Sequence, residues 1–133
     1  MKTTVLDASA LLAMFFGEPG VDMMRDLFHR AAEADRPLLV SAVNWAEVLY
    51  RLSRQRGQEG LEVARHFGRT MPLHVVPVDL EQAEMAAEFK ATRKLALADA
   101  FAAALAKHKK AELVTGDQEF RAVAKEITIE WLK

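Results

Sequence analysis

The chain has 133 residues, a formal net charge of −1 and no cysteine. That length suits one domain, residues 1–133, which buries roughly two-thirds of its unfolded surface and so needs no disulfide or structural metal to hold a core. The missing cysteines exclude thiolate zinc sites and cysteine nucleophiles, and the near-neutral balance does not mark a bulk nucleic-acid binder.

The opening Met1-Lys2-Thr3-Thr4-Val5-Leu6-Asp7 is too short and too soon charged for a signal peptide. No run approaches the ~18 apolar residues of a membrane span, and a cytoplasmic location fits. Residues 3–6 read as a first strand, short and β-branched, after which Asp7 and Ser9 can cap a helix over 8–16. Gly17-Glu18-Pro19-Gly20 ends it. Val21, Met24, Leu27, Phe28 and Ala31 recur at helical spacing, and Asp35-Arg36-Pro37 breaks that helix before a strand at Leu38-Leu39-Val40. Ser41 reads as the N-cap of a helix running to about Gly57, with Trp45, Val48, Leu49 and Leu52 as its apolar stripe, and a further helix spans 58–69. Leu73-His74-Val75-Val76 is a third strand. Asp79 and Gln82 have the spacing of a capping box for a helix over 80–93. Residues 99–108 form a helix apolar almost all round, hence buried. Glu112-Leu113-Val114-Thr115 is a fourth strand and Ile127-Thr128-Ile129 a fifth. Strands alternating with helices predict an α/β domain with a central, mostly parallel sheet of about five strands flanked by helices.

Four acids sit where an unpaired carboxylate is costly to place. Asp7 ends the first strand, Glu47 lies in an apolar helical segment, Asp99 falls in Leu97-Ala98-Asp99-Ala100-Phe101, and Asp117 closes Leu113-Val114-Thr115-Gly116-Asp117. In a parallel sheet ligands bind beyond the carboxyl ends of the strands, so these acids can reach one rim. Carboxylates gathered there repel by about 3 kcal/mol per close pair at an effective dielectric of ~20. A hard divalent cation, Mg²⁺ or Mn²⁺, relieves that repulsion through oxygen ligands alone. Such an ion offsets phosphate charge and acidifies a bound water, the chemistry of phosphodiester hydrolysis.

Polar neighbours admit two readings each. Ser9 and Thr115 could hold a water or a phosphate oxygen, or serve as a cap and a strand residue. Asn44, one turn before Glu47, could support the site or bond at its helix start. Glu119 could ligate through water or be a solvated acid. Singly, Glu47 is explained by an i,i+4 pair with Arg51, Asp99 by capping and Asp117 by a turn. The four histidines show neither ligand spacing nor a carboxylate partner in sequence. Arg51, Arg54 and Arg56, then Arg93 and Lys94, then Lys107, Lys109 and Lys110 form local basic clusters. No phosphate-binding loop or nucleophile elbow is present.

The segments Val5-Leu6-Asp7-Ala8-Ser9-Ala10-Leu11-Leu12, Ser41-Ala42-Val43-Asn44-Trp45-Ala46-Glu47-Val48, Leu95-Ala96-Leu97-Ala98-Asp99-Ala100-Phe101 and Leu113-Val114-Thr115-Gly116-Asp117-Gln118-Glu119-Phe120 together resemble a PIN domain of the VapC toxin type. The resemblance covers essentially the whole chain. It implies a metal-dependent endoribonuclease toxin, with Asp7, Glu47, Asp99 and Asp117 as catalytic metal ligands to Mg²⁺ or Mn²⁺ and Ser9 and Thr115 supporting. It further implies a homodimer, an RNA substrate and a cognate VapB-type antitoxin. Ala96 departs from the small hydroxyl residue the family often places three before the third acid. Two rivals stand beside this reading. One is a catalytically idle PIN fold that only binds partners. The other is a haloacid-dehalogenase-like phosphatase using Asp7 as nucleophile, for which Ser9 stands where a general acid is needed.

Overall fold

A computed structural model describes residues 2–133; Met1, part of the N-terminal reading, lies outside the described residues. Five strands form one sheet: β1 (Thr4–Leu6), β2 (Leu38–Ser41), β3 (Leu73–Val76), β4 (Glu112–Thr115) and β5 (Ile129–Trp131). Their order is β3-β2-β1-β4-β5, and every pairing is parallel. Five helices connect or flank them: α1 (Ala8–Phe16), α2 (Val21–Glu33), α3 (Ala42–Thr70), α4 (Leu80–Arg93) and α5 (Leu97–Lys109).

Alternation along each strand sends side chains to two cores. Val5, Leu39 and Leu113 face a layer built by α4 and α5, where Phe89, Leu95, Leu105, Phe120 and the alanines of α5 pack. Leu6, Leu38, Val40 and Val114 face the opposite layer, where Leu11, Met24, Phe28, Val48 and Leu52 from α1, α2 and α3 meet. Burial on both faces is why the strands read as continuous apolar runs. The expected helix over 99–108 is α5, and its buried alanines let it lie close to the sheet.

Several boundaries differ from the sequence expectation. The fifth strand starts two residues later, at Ile129, because Ile127 is buried in the core instead of entering the ladder, where Leu113 faces Ile129. Asp7 alone caps α1, accepting from Ala10 N–H, while Ser9 turns back to Asp7. Only half of the expected capping box forms: Asp79 accepts from Gln82 N–H, but the Gln82 amide goes to the Pro77 carbonyl. The break expected at Gly57 is present inside α3, with φ 65° and ψ −150°, a backbone state that essentially only glycine adopts. There the helix folds back on itself. A Cβ on Gly60 would meet the Leu52 carbonyl oxygen at 2.5 Å, and one on Gly68 would meet the Trp45 ring at 2.8 Å. Two histidines also have acidic partners, His29 with Glu33 one turn on at 3.0 Å and His108 with Glu81 at 3.6 Å, so the sequence reading missed a local i,i+4 pair.

The strand order changes direction between β1 and β4. Chain connections run from β1 outward to β2 and β3, then return to β4 and β5. That is the place where an open parallel sheet leaves a crevice beyond its carboxyl ends. Asp7 follows β1 there and Asp117 follows β4.

Candidate metal centre

Asp7 is 2 % exposed and its carboxylate is held by three groups. Its Oδ1 accepts from Ala10 N–H at 2.9 Å, and the Ser9 hydroxyl lies 2.8 and 3.0 Å from its two oxygens. Thr115, fully buried, donates its hydroxyl to Asp7 Oδ2 at 2.5 Å and accepts from Asp117 N–H at 2.9 Å. Ser9 Oγ also accepts from Gly116 N–H at 3.1 Å. These hydroxyls therefore tie the end of β1 to the end of β4 across more than a hundred positions. Burial pushes the Asp7 carboxyl up to about 6, against the lowering effect of the Thr115, Ala10 and Ser9 hydrogen bonds.

Asp99 stands in the first turn of α5, partly buried. Asp117 caps the 3₁₀ turn Gln118–Val123 by accepting from Glu119 N–H at 2.9 Å, which turns Glu119 into the same space. Asp99, Asp117 and Glu119 each offer a carboxylate oxygen, and the three atoms lie within 4.8 Å of one another. Asp99 is pushed up to about 7, by burial first, then by the charges of Asp117, Asp7 and Glu119 and a hydrogen bond with Glu119.

The structure thus brings two of the four expected ligands, Asp99 and Asp117, together with the supporting Glu119, and Asp7 lies next to them. Glu119, expected only as support, belongs to the converging trio. Glu47 sits on α3 and faces Arg51, one turn on, with Oε2 3.8 Å from Nη1. Asn44, on the same face of α3, reaches across to α5 and donates to the Ala98 carbonyl at 3.0 Å. Among the described residues no lysine, arginine or histidine lies within ion-pairing distance of Asp7, Asp99, Asp117 or Glu119. An oxygen-only donor set with no internal counter-charge fits a hard divalent cation such as Mg²⁺ or Mn²⁺ and offers none of the nitrogen and sulfur ligands of a structural zinc site.

Comparison with known proteins bears on the fold and the family. No curated protein matches the chain in sequence. Solved structures match it in fold. DNA-bound VapBC from Salmonella typhimurium aligns with a TM-score of 0.81 at 22% identity, covering 100% of both chains. VapBC2 from Rickettsia felis, bound to a promoter DNA fragment, aligns at 0.79 with 16% identity, covering 98% of this chain and 99% of that one. VapC20 from Mycobacterium tuberculosis, a sarcin-ricin loop cleaving toxin, aligns at 0.72 with 20% identity, covering 91% and 95%. Residues 4–126 match the PIN domain family, and the chain belongs to it.

Proposed function

We propose that the chain is a Mg²⁺- or Mn²⁺-dependent endoribonuclease of the VapC toxin type, acting in the cytoplasm as a homodimer and neutralised by a VapB-type antitoxin. One observation carries this reading: three carboxylates meet at the crevice of a PIN fold with no cationic side chain among them. The similarity to toxins solved with their antitoxins supports the partner, and the similarity to a toxin that cleaves the sarcin-ricin loop supports a structured RNA as substrate. Among the described residues no helix is long and apolar enough to cross a membrane.

Asp99, Asp117 and Glu119 would hold the ion, with Asp7 beside them and Glu47 free to join by leaving Arg51. When bound, the ion supplies charge neutralisation at the phosphate and acidifies water for in-line attack. Thr115 and Ser9 keep Asp7 fixed and let the ends of β1 and β4 move as one unit. A basic cluster would hold the RNA backbone, since phosphate contacts supply most non-specific affinity. The phosphatase alternative is disfavoured by Asp7 itself, which is buried with both oxygens already hydrogen-bonded and so is poorly placed for covalent attack.

Incubating the purified chain with total RNA and Mn²⁺ tests the proposal. Cleavage leaving 5′-phosphate ends is expected, lost in Asp99→Asn with the fold retained. Wild-type cutting by that variant contradicts the proposal, and no cutting by the wild type at any divalent concentration favours the idle fold.

A further inference from the structure

The first turn of α5 carries Asp99 but lacks the usual device that fixes a helix start. Ala96 occupies the N-cap with φ −60° and ψ 152°, and no side chain accepts from the free N–H groups. A different restraint comes from another helix, on a carbonyl of that turn and not on its N–H groups. Asn44, in the first turn of α3 and 1 % exposed, donates from Nδ2 to the carbonyl oxygen of Ala98 at 3.0 Å, across 54 positions of sequence. That carbonyl belongs to the peptide unit whose nitrogen is that of Asp99. The bond therefore restrains the peptide plane on which the Asp99 side chain is mounted.

The orientation of the Asn44 amide follows from chemistry, since a carbonyl oxygen accepts only and must face the nitrogen. Its Oδ1 is left buried with no hydrogen-bond partner. An apolar residue of the same size would avoid that orphan, so stability alone does not explain an asparagine here.

We propose that Asn44 is a positioning residue for Asp99: by holding the peptide unit between Ala98 and Asp99 it keeps the Asp99 carboxylate in register with Asp117 and Glu119. The inference rests on the cation-binding reading and deepens it. Partners that orient metal ligands in this way typically change affinity by about 10- to 100-fold when removed.

The test is the Mn²⁺ dissociation constant of the full chain, measured by calorimetry beside its melting temperature. Asn44→Ala is expected to weaken Mn²⁺ binding about tenfold or more. Asn44→Leu, close in size and free of the orphan oxygen, is expected to stay folded with the same weakening, which guards against an alanine variant that does not fold. Val48→Ala, one turn along α3 in the core, is expected to lower the melting temperature and leave Mn²⁺ affinity as in the wild type. Ala96→Ser added to Asn44→Ala is expected to recover affinity, because the new hydroxyl accepts from the Ala98 or Asp99 N–H and fixes the same turn. Wild-type Mn²⁺ affinity in Asn44→Leu would overturn the inference alone. A wild-type chain that binds no Mn²⁺ would overturn the cation reading and this inference with it.

Discussion

The two rims of the same parallel sheet treat carboxylates in opposite ways. At the carboxyl rim, Asp7 and Asp99 are pushed up to about 6 and about 7, burial leading and neighbouring acids adding to it. At the amino rim, just before β5, Glu126 is held below its ordinary value, by hydrogen bonds from Arg93 first and then by the charges of Arg93 and Lys107. Arg93 grips it twice, from Nε at 2.8 Å and from Nη2 at 2.7 Å. The fold is therefore able to bring a guanidinium to an acid, yet among the described residues none reaches Asp7, Asp99, Asp117 or Glu119 at the carboxyl rim, where only Glu47 faces one, Arg51 at 3.8 Å. Leaving those four acids without a cationic side chain is costly, and the divalent cation proposed above would offset that cost.

The largest test of that contrast is pH. A carboxyl whose folded value is raised makes the native state bind more protons than the unfolded chain, so stability falls as pH rises through the window. In metal-free protein, stability is expected to decline from about pH 4 until it levels above about pH 7, following Asp7 and Asp99. Asp7 alone contributes on the order of 2–3 kcal/mol to that decline. Adding Mn²⁺ at pH 7.5 should reverse it by binding the folded form. Denaturant unfolding across pH measures both; a metal-free profile flat between pH 4 and 7 would remove the distinction between the rims.

A smaller effect is expected from Thr115→Val. It removes the donor to Asp7 Oδ2 and the acceptor for Asp117 N–H, and leaving such buried groups unpaired costs on the order of 1–3 kcal/mol. Because the lost bond lowers the Asp7 value, the declining part of the pH profile should also extend further upward. A variant as stable as wild type in denaturant would mean that the hydroxyl bridge does not hold the two strand ends.

The smallest change belongs to Glu126→Gln. The pair it breaks is exposed, and such pairs contribute little. Its pH dependence should carry the opposite sign, since a lowered carboxyl stabilises at neutral pH and the benefit is lost as pH falls through its folded value. Melting curves of wild type and variant should therefore converge in acid. Divergence on acidification would contradict the assignment of Glu126 to Arg93.

Much of this arrangement was legible in the sequence because it depends on local pattern. Asp7 and Asp117 could be placed at strand ends from the apolar runs before them, and Asp99 in a helix start from the alanine-rich segment after it. Gly57 was legible as a break. What could not be read depends on pairs distant in sequence. The hydroxyl bridge joins Ser9 and Thr115 through Asp7 across 106 positions, and no spacing announces it. Asn44 could be put on a helix face with Glu47, but not against Ala98. The approach of Glu119 depends on the turn that Asp117 caps, which no spacing announces, whereas the i,i+4 arginine beside Glu47 is local and legible. The fifth strand was misplaced because an apolar Ile127 fits a buried loop as well as a ladder.

The central claim is that the unpaired acids of the carboxyl rim exist to hold a divalent cation. Anomalous diffraction from crystals of the chain soaked in Mn²⁺ tests it most directly. A peak between Asp99, Asp117 and Glu119, absent in Asp99→Asn, is the predicted result. A saturating soak that leaves those three carboxylates without a peak would contradict it.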